Sequence, residues 1–191
     1  MLKISRILFP ALALVLVMVL VSSCSGTDKY RVETSQIDSL LIQLDSAEKV
    51  FLMLDSASCT EKLKNVNTLL GEATNVIRDT LLKEEARLLS DFRSIKKPLK
   101  EFLTRRSSVI KEILVTRKQL KDLSHDLDEG LMSEVDVQKH FQQECDLAGM
   151  LIMSLKITSS AVESQCNLYD SLNLKLRDFV ERKGLEPLSN K

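Results

Sequence analysis

The chain has 191 residues, and its 27 Lys and Arg balance 27 Asp and Glu, so nothing in the total charge points to nucleic acid. It holds 5 Gly, 3 Pro, 2 Tyr and no Trp. A strand-rich fold needs β-branched and aromatic runs with turn signals every ~8–12 residues, so this composition excludes one and predicts an almost wholly helical chain.

The first element is a targeting segment. Lys3 and Arg6 precede an uncharged, apolar run from Ile7 to Val21, and the small residues Ser22 and Ser23 follow. That is the three-part layout of a secretory signal peptide. The run falls short of the ~20 residues of a spanning helix, which disfavours an uncleaved anchor. Val21-Ser22-Ser23-Cys24 resembles the lipobox of bacterial lipoproteins. The resemblance implies cleavage before Cys24, diacylation of its thiol and acylation of the new N-terminus, and two or three chains give stable anchoring. Residues 1–23 are then a cleaved signal peptide and 24–34 a lipidated, polar tether. By the same resemblance, Ser25 in place of Asp favours the bacterial outer membrane. Asp28 alone is a poor surface-export signal, so the body is expected to face the periplasm. The mature chain keeps 25 basic and 27 acidic residues and is close to neutral.

Residues 35–186 form the predicted body. Ile37, Leu40, Leu44, Ala47, Phe51 and Leu54 alternate steps of three and four, the spacing of an amphipathic helix, with Leu41, Val50 and Leu52 widening its face. Ser58 and Glu61 make an S-x-x-E capping box that opens a second helix. Its stripe runs Leu63, Val66, Leu70, Ala73, Ile77, Leu81, Leu88, Phe92 and Ile95, and Pro98 ends it. A third helix carries Leu99, Phe102, Val109, Ile113, Leu120, Leu123 and Leu127 and stops at Gly130. Ser133 caps a fourth, whose stripe extends from Val137 through Phe141, Ala148, Ile152, Leu155, Val162, Tyr169, Leu172 and Leu176 to Phe179, with its end near Gly184. A reversal at the capping box would bury the face that one continuous first-and-second helix would leave bare. The expected fold is therefore all-α, an antiparallel four-helix bundle of coiled-coil-like hairpins with unequal helix lengths. The fourth helix outruns the third, so Leu172–Phe179 is expected to lack full cover and to offer a self-association surface. Residues 187–191 read as a disordered tail.

Few residues point to chemistry. Cys59, Cys145 and Cys166 remain beside Cys24, an odd set in a compartment that permits disulfides. Cys145 and Cys166 lie ~30 Å apart along one helix and cannot bond to each other; both fall on its apolar stripe and read as small hydrophobes. His125 and His140, among Asp126, Asp128, Glu129, Glu134 and Asp136, lack the spacing of a zinc site, and the acidic run lacks the ligand pattern of a calcium loop. No nucleophile elbow, phosphate-binding glycine loop or Cys–His pairing is present. No metal, cofactor or enzymatic activity is expected.

One charge pattern does stand out. Ten basic and two acidic residues lie between Arg93 and Lys121. At ~100° per residue, Arg93, Lys96, Lys97, Lys100, Lys111, Lys118 and Lys121 share one ~120° sector away from the apolar stripe. Such a ridge either steers an anionic partner or is solvated and paired with the acidic first helix. The lipobox and the Lys/Glu/Ser-rich helical body together resemble the small, helix-rich, uncharacterised lipoproteins of the Bacteroidota. The expected function is a membrane-anchored, non-enzymatic protein-interaction or scaffold module of the cell envelope. The alternative is a binding protein that takes lipid head groups or cell-wall polymer on the basic ridge.

Overall fold

Apolar residues at steps of three and four dominate the body, and every regular element among the described residues is a helix. The computed structural model describes residues 29–77 and 80–185, which form an all-α helical bundle. The helices are α1 (Arg31–Leu52), α2 (Ser56–Val76), α3 (Lys83–Ser94), α4 (Lys96–Asp128) and α5 (Glu134–Leu185). Cys24, the signal peptide and the 187–191 tail lie outside the described residues.

The caps explain the boundaries. Helix α1 starts inside the expected tether, where the Thr34 N–H donates to the Tyr30 carbonyl at 3.0 Å and Tyr30 packs on the core. Helix α2 is capped by Asp55 and not by Ser58: its carboxylate accepts from the N–H groups of Ala57 at 2.9 Å and Ser58 at 3.1 Å. A carboxylate there satisfies two orphan donors and also meets the positive end of the helix dipole. Gly130, at φ 63°, closes α4; its N–H donates to the Leu127 carbonyl at 3.2 Å, and that of Leu131 to Asp126 at 2.9 Å. This left-handed stop matches the expectation at that glycine. Ser133 caps α5, accepting from the Asp136 N–H at 3.3 Å.

The chain packs as two compact units. The first combines residues 29–42 with Thr116–Ala148. Its core joins Ile37 of α1, Leu120, Leu123 and Leu127 of α4, and Val137 and Ala148 of α5. The two N-terminal ends lie together, since the Lys29 Nζ donates to Glu134 Oε1 at 2.6 Å. That hydrogen bond raises the Lys29 pKa and lowers that of Glu134.

The second unit combines Gln43–Val115 with the chain from Gly149 onward. Here the contacts step in order along α5. Phe51 shares a cavity wall with Leu155 and Val162. Cys59 faces Cys166, Asn65 donates to the Tyr169 hydroxyl at 3.1 Å, and the Val76 side chain lies where a side chain added at Gly184 would meet it. The end of α1 and all of α2 therefore advance in the same direction as α5. Helix α3 runs the other way: Glu85 pairs with Lys183 at 3.6 Å, and the Phe92 ring lies 5.9 Å from that of Tyr169.

Three expectations about the path are corrected by these contacts. The chain does not fold back at residues 53–55. It reverses at 77–82, between Ile77 (ψ 111°) and Leu82 (ψ 152°), both extended. Pro98 is not a reversal point either. It falls in the first turn of α4, where its missing N–H has no partner to lose, and Ile95 before it keeps right-handed helical angles (φ −60°, ψ −33°). Helix α3 thus leads directly into α4 rather than extending α2, against which it packs. The end of α5 is covered as a result: Leu176 and Phe179 are buried in the unit that holds α2 and α3. Within Leu172–Phe179, expected to lack full cover, Leu172 is half-buried and Leu174 stays exposed. Val50 and Leu52, expected to widen a buried face, are exposed.

Candidate functional site

Two exposed faces and a cavity compete for a functional role; the second unit carries its share on α3, α4 and α5, with Phe51 of α1 in the cavity wall. The cationic face comes first. All seven ridge residues, Arg93, Lys96, Lys97, Lys100, Lys111, Lys118 and Lys121, are exposed. The second unit brings Arg93, Lys96, Lys97 and Lys100 together with Arg105 and Thr104 along one groove, where Glu101 is the one acid among the described residues. Lys97 reaches Glu101 at 3.9 Å, an exposed i,i+4 pair of the kind worth little. Lys111 is exposed farther along α4 in the same unit. Lys118 and Lys121 belong to the other unit, where Lys118 pairs with Asp122 one turn on. Of the seven ridge residues, Arg93, Lys96, Lys97 and Lys100 line this groove, and Lys111, Lys118 and Lys121 do not.

Beside it, a cavity of about 180 Å³ opens between α4 and the part of α5 that follows Gly149. Phe51, Phe102, Leu155 and Val162 form apolar walls, and Arg105 and Arg106 reach it from α4. Phe51 and Phe102 meet edge to face, with centroids 5.5 Å apart. The Arg106 Nε is buried there without a hydrogen-bond partner, which leaves a cationic donor free to take an anionic acceptor.

The second face was missed by the sequence reasoning. Met150, Met153 and Ile157 are 61%, 64% and 63% exposed. Their spacing puts them within ~60° of one another on α5. Their neighbours Leu151, Ile152 and Leu155 are buried. The signal was legible in "LAGMLIMSLKI", residues 147–157, which is apolar nearly all round, while a bundle helix needs only one apolar stripe. Among the described residues, α5 alone is long and apolar enough to cross a membrane, but 39% of the window that qualifies is buried within the protein. A core helix with a spare apolar face accounts for it.

His125 and His140 sit exposed in the first unit, and no group of three or more His, Cys, Asp or Glu among the described residues converges on a metal position. Burial raises the pKa of Cys145, in keeping with an inert core thiol.

Fold and site together define an all-α helical bundle whose described residues include a cationic groove and an apolar stripe open to solvent. Comparison with known protein families, with characterised proteins and with solved structures found no significant match to this chain.

Proposed function

We propose that this protein is a non-enzymatic interaction module of the bacterial cell envelope, held at the outer membrane by acyl chains on Cys24 and facing the periplasm. The anchoring part rests on the lipobox-like Val21-Ser22-Ser23-Cys24. The docking part rests on one observation, the exposed apolar face of Met150, Met153 and Ile157 on α5. Isolated exposed apolar residues are ordinary. Three in register on one helix face, two of them adaptable methionines, are the pattern of a helix that packs against a protein partner. Its partner is a protein with a complementary apolar surface.

A second reading has its own support. The groove at Arg93, Lys96, Lys97, Lys100 and Arg105, with the unpartnered Arg106 Nε beside it, fits an anionic ligand such as a lipid head group or cell-wall polymer. Capture from the envelope with the intact chain separates the two. Replacing Met150, Met153 and Ile157 by Glu abolishes capture if the apolar face docks, and added salt has little effect on the wild type. Replacing Lys96, Lys97 and Lys100 by Glu abolishes it if the groove binds, and salt then weakens the wild type as ions screen the contacts. Capture unchanged by either triple variant refutes both readings.

A further inference from the structure

Four cysteines are too few for two disulfides once one carries lipid, and the sequence rules out only Cys145 with Cys166, which leaves Cys59 open to either. The fold does. Cys59 is in the first turn of α2 and Cys166 is midway along α5, 107 positions apart, yet their Sγ atoms lie 4.0 Å from each other. That is van der Waals contact between two thiols, and a covalent bond needs the sulfurs to close to ~2 Å. The surroundings hold the two helices in register at that point. Lys62 pairs with Asp170, its Nζ lies 4.6 Å from the Tyr169 ring centroid, and Asn65 bonds the Tyr169 hydroxyl. Cys145 is buried in the other unit.

We propose that Cys59 and Cys166 are a disulfide-forming pair that staples α2 to α5. Cys59 is 2% exposed and Cys166 is partly exposed, which sets the order of events. The Cys166 thiol gives up its proton to solvent, and its thiolate attacks one sulfur of a small-molecule disulfide. The second sulfur leaves as a thiolate, and Cys166 becomes a mixed disulfide. Cys59, after losing its proton in turn, attacks the Cys166 sulfur and expels the remaining half of the oxidant. Two protein thiols become one disulfide, two electrons pass to the oxidant, and the two protons end on the thiols released from it. Cys145 has no partner and stays a thiol. The inference stands apart from the envelope assignment, because the oxidant can be supplied in the test.

The test uses the full chain, reduced, purified and exposed to oxidised glutathione. The products are trapped in acid, alkylated under denaturing conditions and mapped by mass spectrometry. The expected result is a single cross-link between the peptides holding Cys59 and Cys166, with Cys145 alkylated. The melting temperature should rise by roughly 10 °C, as a loop of about 100 residues is closed in the unfolded chain. Cys59→Ser should leave Cys166 as a stable glutathione adduct, and Cys166→Ser should leave Cys59 unmodified. A wild-type chain that stops at the Cys166 adduct, or that links either cysteine to Cys145, would overturn the proposal.

Discussion

Phe179→Ala is the sharpest probe of the path the chain takes. Phe179 sits in the last two turns of α5 and is 1% exposed. It is buried because α2 advances alongside α5 until Val76 is next to Gly184, while α3 returns past it through the pairing of Glu85 with Lys183. Truncating a fully buried Phe removes its transfer free energy and leaves a cavity, a loss of ~3–5 kcal/mol. For a chain of this size that lowers the melting temperature by on the order of 10 °C. Were α2 folded back on α1 at residue 55, the end of α5 would stand in water and the same substitution would cost less than ~0.5 kcal/mol. Leu174→Ala supplies the control, since Leu174 is 69% exposed five residues earlier on the same helix and should change stability by less than ~0.5 kcal/mol. Urea and thermal unfolding followed by far-ultraviolet circular dichroism measure both. Equal, small effects for the two variants would refute the described path.

The cap of α2 gives a second expectation: Asp55→Ala should lower stability by ~1 kcal/mol in urea unfolding, and Ser58→Ala by less, because Asp55 supplies the capping oxygen. Burial pushes the Cys59 thiol up from its ordinary value near 9 to about 12. A raised pKa favours the neutral thiol in the folded state, so its contribution to stability is whole below pH ~9 and is lost as pH climbs towards 12. At pH 8 a maleimide should therefore label Cys166 well ahead of Cys59, and unfolding should equalise them; equal rates in the native protein would contradict the burial. Finally, Cys24→Ser should abolish incorporation of labelled palmitate and leave a precursor that retains residues 1–23; labelling that survives the change would remove the lipid anchor.

Much of the core was legible. Ile37, Leu44, Phe51, Phe92, Phe102, Ile113, Leu120, Ile152, Leu155 and Phe179 all recur at helical spacing and all are buried. Spacing reports which side of a helix is apolar, but not which neighbour that side meets. Ser58–Glu61 and Asp55 announce the start of a helix equally well whether the chain turns back there or runs straight on. The true reversal at 77–82 falls within a stripe that Ile77, Leu81 and Leu88 carry across without a break in period. Its local signs, Asp79-Thr80 before the acidic Glu84 and Glu85, are weaker than a proline. Pro98 pointed to a boundary, and one exists at Ile95, but a proline in a first turn does not redirect a chain. Helical angles put Arg93, Lys96, Lys97 and Lys100 on one side, but not Arg105, which lies ~120° from Arg93 and shares their groove all the same. The apolar face of α5 and the meeting of Cys59 with Cys166 depend on which surfaces the other helices leave open or bring near, and neither is a local property.

Site-specific photo-crosslinking in living cells tests the central claim most directly. A photoreactive residue replaces Met153 on the apolar face of α5 in the intact chain, and the same residue replaces exposed Lys175 on that helix as a reference. The account predicts a discrete covalent adduct with an envelope protein from position 153, lost when Met150 and Ile157 are changed to Glu, and none from position 175. Equal adducts from both positions, or none from 153, would contradict it.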